Sequence, residues 1–168
     1  DINNDGICEL ISNGSIKSRS GGSWKTLSFR FPEGTEIETK DGNDAGMRFA
    51  DINDDGNLDV IFSNGKRYGT WTFESMEKGW ARRGLYGERE NSGVGENHPR
   101  GRDALAPIVR ADGTNNGAWI KRGHLYWQNE DTGSVMPHHI DQRSFGDLMG
   151  DQVNFPRSAK ASLRAMQP

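Results

Sequence analysis

Apolar residues fall at every second position in three stretches of the chain: Met47 and Phe49, then Leu58, Val60 and Phe62, then Trp71 and Phe73. A period of two predicts strands that each turn one face to a core. With Trp80–Leu85 they predict four strands joined by short turns, near Met47–Ala50, Leu58–Ser63, Thr70–Glu74 and Trp80–Leu85. Similar runs predict strands near Glu9–Asn13, Ser15–Ser20 and Trp24–Phe31, with Asn13-Gly14 and Gly21-Gly22 as hairpin turns. Further on, strands are expected near Ala118–Lys121 and His124–Gln128. The wider spacing of Ile140, Phe145, Leu148 and Met149 predicts a short helix that Gly150 ends. The fold class expected is mainly β, in repeated antiparallel units, with this helix near the C-terminus.

The pattern divides the chain into a first unit (1–43), a second (44–86), a Gly/Asn/Arg-rich loop (87–107), a degenerate third unit plus helix (108–150) and a linker or tail (151–168). Each of the first two units contains the same polar turn. Asp1-Ile2-Asn3-Asn4-Asp5-Gly6-Ile7-Cys8-Glu9 returns fifty residues on as Asp51-Ile52-Asn53-Asp54-Asp55-Gly56-Asn57-Leu58-Asp59. Both read D-x-N-x-D-G-x-x-[DE]. The spacing offers hard oxygen donors at positions 1, 3, 5 and 9, a backbone carbonyl at 7 and a glycine for the sharp turn at 6, which is the donor set a calcium ion takes from a short loop. The candidate ligands are Asp1, Asn3, Asp5, Glu9 and the carbonyl of Ile7 in the first loop. In the second they are Asp51, Asn53, Asp55, Asp59 and the carbonyl of Asn57. All-oxygen donors suit calcium or magnesium rather than zinc or copper, and many protein ligands favour calcium.

The competing reading is an Asx-rich turn without metal; two copies with matching donors favour the ion. Position 12 is Ser12 or Phe62, not the bidentate glutamate of an EF-hand. These are therefore strand–loop–strand sites. Ile108–Trp119, with its Asp112-Gly113, reads as a decayed copy of the loop that holds no metal.

Composition narrows the rest. Hydrophobic content is 32% with 22 glycines, the balance of a loop-rich β protein. The net charge of −3 and the lack of a basic cluster argue against nucleic acid. No run approaches the ~20 apolar residues of a membrane span. One cysteine, Cys8, rules out an internal disulfide framework and is expected as a half-buried strand residue. The chain starts inside a motif without an initiator Met and reads as part of a longer polypeptide. His138 and His139 read as structural, with Asp141 as a helix N-cap. Trp119, Tyr126 and Trp127 read as sheet packing before a sugar platform, and Glu74, Glu77 and Glu130 as surface charges before a glycosidase pair.

Each D-x-N-x-D-G-x-x-[DE] loop leading into an apolar strand resembles the FG-GAP/VCBS repeat, which also builds the integrin α-subunit β-propeller. The likeness is good over roughly residues 1–75. It implies a partial β-propeller with calcium in its loops and no catalysis in this chain. Arg67-Tyr68-Gly69, Ser75–Trp80, Thr114–Trp119, Leu125–Asp131 and Ser158–Leu163 are similar to the VCBS-type segment of large secreted bacterial proteins. There it precedes a sorbosone-dehydrogenase-like propeller and a c-type haem domain. The resemblance thus implies an extracellular or periplasmic setting and, as partners, the remaining domains of a parent polypeptide. Two alternatives stand beside the calcium module. One is an interaction module that holds polysaccharide or protein through the 87–107 loop or the Trp119/Trp127 surface. The other is the front end of a redox enzyme whose chemistry lies beyond Pro168.

Overall fold

A computed structural model describes residues 1–12, 14–89, 105–133 and 140–149. The pair His138-His139, most of the 87–107 loop and the linker 151–168 lie outside the described residues. The described chain is mainly β, in three antiparallel sheets. Sheet one has the order β1 (Leu10–Ser12), β2 (Ser15–Ser20), β3 (Ser23–Thr26). Sheet two has the order β4 (Met47–Ala50), β5 (Asp59–Ser63), β6 (Arg67–Thr72), β7 (Arg82–Glu88). Sheet three pairs β8 (Ala118–Lys121) with β9 (His124–Trp127) and β9 with β10 (Asp141–Ser144). Two short helices follow strands: α1 (Glu130–Gly133) after β9, and α2 (Phe145–Met149) after β10.

The middle sheet is covered on both faces. Val60 and Phe62 of β5 point into one cluster with Ile2, Ile16, Phe29, Met47, Trp71, Phe73 and Trp80. Ile61, between them, points the other way, to Ile52, Leu105, Ile108, Leu125, Trp127, Phe145 and Met149. Successive side chains of a strand leave opposite faces, so β5 serves two cores at once. All five of its residues are buried, which corrects the expectation of a single buried face. Each buried aliphatic or aromatic side chain contributes about 1.5–3 kcal/mol relative to exposure, so β5 is the structural centre of the chain. An aromatic nest closes the first interface: Phe29 meets Trp80 edge-on at 5.5 Å between ring centroids, with Phe31, Phe49 and Phe73 around it. The Trp80 indole N–H donates to the Leu58 carbonyl at 2.7 Å and so ties this nest to the end of the second polar loop.

Four expectations need correction. β3 stops at Thr26, and Phe29 and Phe31 reach the aromatic nest from irregular backbone. Cys8 is exposed, because it precedes β1 rather than lying in it. Asp141 does not cap a helix: it pairs with Trp127 in β10, and the Ser144 hydroxyl caps α2 by accepting from Asp147 N at 3.2 Å.

The fourth concerns residues 108–121, which do not copy the D-x-N-x-D-G loop. They copy residues 37–50, the turn that leads into β4. Glu38 bridges Asp44 as Val109 bridges Asn115. Thr39 N donates to Asn43 O at 2.8 Å, and Arg110 N to Thr114 O at 2.8 Å. Ala45 N reaches Ile37 O at 3.0 Å, and Asn116 N reaches Ile108 O at 3.0 Å. Gly46 N and Gly117 N donate to the side chains of Asp44 and Asn115. At the place where the nine-residue polar loop follows β4, β8 is followed by a tight turn through Arg122 and Gly123, both left-handed.

Candidate metal centre

The two polar loops fold alike, residue for residue. Gly6 and Gly56 have φ of 87° and 90°, and Asn4 and Asp54 have φ of 55° and 61°. Asn and Asp are the side chains that tolerate the left-handed region best after glycine. At position 1, one carboxylate oxygen of Asp1 accepts from Asp5 N at 3.0 Å and the other from Gly6 N at 2.9 Å. Asp51 does the same with Asp55 N at 3.2 Å and Gly56 N at 2.9 Å. At position 5, Asp5 accepts from Ile7 N and from the Asn3 amide, and Asp55 accepts from Asn57 N and from the Asn53 amide. These two bonds, the Asn3 amide first and then Ile7 N, hold the Asp5 carboxyl below its ordinary value.

Position 9 latches each loop shut. Glu9 Oε2 accepts from Ile2 N at 2.7 Å, and Asp59 Oδ2 from Ile52 N at 3.1 Å. The second oxygen reaches a later strand or its end: Glu9 Oε1 takes the Ser18 hydroxyl at 3.1 Å, and Asp59 Oδ1 takes Phe73 N at 2.8 Å. The extra methylene of Glu9 is accommodated by this change of donor. Asp59 is fully buried. Burial pushes its pKa up to about 7, against the two backbone N–H donors, with the charges of Asp55 and Asp51 adding to the rise. Ser18 and the Phe73 amide escaped the sequence reading, since neither belongs to the loop motif and Phe73 contributes only its backbone.

The loops also touch each other. Leu58 N, at the end of the second, donates to Ile2 O in the first at 2.7 Å. Ile2 and Ile52 are both buried, one in each core.

The donor set suits a hard divalent cation: positions 1, 3, 5 and 9 of each loop carry three carboxylates and an asparagine, all oxygen donors. Asn3 Oδ1 is buried and accepts no hydrogen bond, whereas Asn53 Oδ1 takes Asp55 N at 3.1 Å. The carboxylates of positions 1 and 5 are turned onto the loop's own N–H groups, and among the described residues no three Asp, Glu, His or Cys side chains are gathered about one point. Ligation therefore requires these side chains to turn inward. The backbone path that would carry them is already set by the left-handed residues and the position 9 latch.

The other candidates separate in space. Trp119 stacks on Tyr126 across β8 and β9 at 5.5 Å and 11° between planes, while Trp127 is wholly buried. Trp127 lies off the surface that Trp119 and Tyr126 share, so it is not part of any sugar platform. Glu130 is forked by the Arg110 guanidinium at 2.5 Å, and Glu74 pairs with Lys78. Both are exposed carboxylates in surface ion pairs.

No family model, curated protein or solved structure matches this chain. No helix among the described residues is long and apolar enough to cross a membrane.

Proposed function

We propose that the chain is a non-catalytic, calcium-binding β-repeat module in which the ion is structural, part of a secreted or periplasmic multidomain protein of the FG-GAP/VCBS kind. The observation that supports this most is the matched hydrogen bonding at positions 1 and 5 of the two D-x-N-x-D-G-x-x-[DE] loops, with left-handed residues at positions 4 and 6 in both. A turn without a ligand needs no second copy at the same register of its unit. A cation would replace the N–H groups that now neutralise positions 1 and 5. It would also relieve the mutual repulsion of Asp51, Asp55 and Asp59 that burial intensifies. Each loop joins the chain to a core through Ile2 or Ile52, so an ion that pins the loop acts on both sheet interfaces.

Extracellular modules bind calcium at about 10⁻⁴–10⁻³ M. At ~10 mM calcium and a Kd of ~10⁻⁴ M, linkage stabilises by about 2.7 kcal/mol per site. For a chain of this length that corresponds to roughly 5–10 °C in Tm. The test compares thermal unfolding in chelator and in calcium for the wild type, Asp51→Ala and Asp55→Ala. The wild type gains most and each variant keeps only the contribution of the first loop. An equal melt with and without calcium rejects the reading.

A further inference from the structure

One hydrogen bond joins the two polar loops, and it engages a specific position in each. Leu58 N, at position 8 of the second loop, donates to Ile2 O, at position 2 of the first, at 2.7 Å. The N–H of Leu58 belongs to the same peptide group as the carbonyl of Asn57, the candidate donor at position 7. That group is planar and trans, so a bond that fixes its N–H also fixes the direction of its C=O. At the other end, Ile2 stands between the candidate donors Asp1 and Asn3. Its own N–H is held by Glu9 Oε2, at position 9, at 2.7 Å. The bond therefore ties position 7 of one loop to the residue on which positions 1, 3 and 9 of the other converge.

Both ends of this link are anchored. Leu58 O accepts from the Trp80 indole at 2.7 Å, and Ile2 and Trp80 are buried in the same apolar cluster. A second approach lies alongside: a Cβ on Gly56, at position 6 of the second loop, would stand 3.6 Å from Nδ2 of Asn4, at position 4 of the first. On its other side the second loop adjoins the turn of Arg122 and Gly123, where a Cβ on Gly123 would stand 4.0 Å from Ile52 O. Ile52 is the counterpart of Ile2, but that turn brings no carboxylate to it.

We propose that the two loops take up calcium as a coupled pair, occupation of either one raising the affinity of the other, with the bond from Leu58 to Ile2 as the link. The coupling presupposes the calcium reading of the loops. A cation on the Asn57 carbonyl draws electron density from the N–H of the same peptide group and strengthens its bond to Ile2 O. Ile2 is then held firmly from both sides, and part of the ordering of Asp1 and Asn3 that an ion in the first loop demands is already complete. Linkage makes the effect reciprocal. Charge acts in the opposite sense, since an ion in one loop removes part of the negative field that draws the second. The tips of both loops are exposed, so that field is screened over about 8 Å at 0.15 M salt, whereas the bond is direct.

The experiment titrates calcium calorimetrically, at 0.15 M salt, into the wild type, into Asp5→Ala, which leaves only the second loop intact, and into Asp51→Ala, which leaves only the first. Asp5→Asn and Asp55→Asn, which keep the side-chain shape, replace an alanine variant that does not fold. Without coupling, the product of the two wild-type dissociation constants equals the product of the single constants of the two variants. With coupling, the wild-type product is smaller by about fivefold or more. Residue-resolved amide exchange gives a second readout. Calcium in the first loop of Asp51→Ala should slow exchange of the Leu58 amide by a comparable factor, although the second loop then holds no ion. A wild-type product equal to or larger than that of the variants, or a Leu58 amide indifferent to the ion in the first loop, overturns the coupling and leaves the calcium reading standing. Absence of saturable binding to the wild type overturns both.

Discussion

Asp59 makes the stability of the metal-free protein depend on pH in a direction unusual for an aspartate. Its carboxyl is wholly buried, faces the charges of Asp55 and Asp51, and has its pKa raised from 3.8 to about 7. The folded state therefore holds this proton more tightly than the unfolded chain does. Its contribution to stability is complete below about pH 4 and is lost as pH rises through 7. A rise of about three pH units, at ~1.4 kcal/mol each, amounts to about 4 kcal/mol. The carboxyls whose pKa values are lowered, such as Asp44 beside Arg48, act with the opposite sign and only below their ordinary range, so they leave the window from pH 4.5 to 7.5 clear. The assay is urea unfolding of dialysed, metal-free protein across that window, read by the fluorescence of the buried tryptophans. Stability should fall by several kcal/mol towards neutral pH. Asp59→Asn should flatten the fall, which separates this carboxyl from the four histidines of the chain. Calcium should flatten it too, because a bound cation favours the ionised carboxylate. A wild-type profile that is level or rises over this window, without metal, would refute the argument that burial and like charge dominate at this position.

Two further outcomes test the packing that presents the loops. Gly79 has φ of 65°, and a Cβ there would stand 2.2 Å from Cδ2 of Phe29; Gly79→Ala should cost about 2–4 kcal/mol by denaturant unfolding and open the aromatic nest. Trp127→Ala should cost about 3–5 kcal/mol, as for a fully buried ring, whereas Trp119→Ala on the exposed stack should cost far less; equal losses would mean the two rings are buried alike.

That the two polar segments are tight turns was legible in the sequence because their bonds span two to five residues; positions 1 and 5 are bonded to the loop's own N–H groups, as the competing Asx-rich turn requires. The limits of β2, β4 and β8 were legible for a related reason: alternation and flanking turn residues fix them without help from the rest of the chain. What escaped depends on distant partners. The run Val60-Ile61-Phe62 is continuously apolar, the mark of burial on two faces, but its alternate members matched a one-faced strand equally well. Asp112-Gly113 shares its residue types with the polar loops, and only the backbone bonds of residues 37–50 reveal the turn it really copies. Asp141 and Ser144 are both good caps by type, and pairing with β9 decided between them. The donors to Asp59 and Glu9 from Phe73 and Ser18 are set by strand packing beyond the loop motif.

Calorimetric titration of calcium into the metal-free protein tests the central reading most directly. Two sites are expected in the wild type and one in Asp51→Ala, with heat that depends on buffer near pH 7 as Asp59 gives up its proton. Absence of any saturable binding up to about 10 mM calcium, well beyond the affinity expected of such loops, would contradict it.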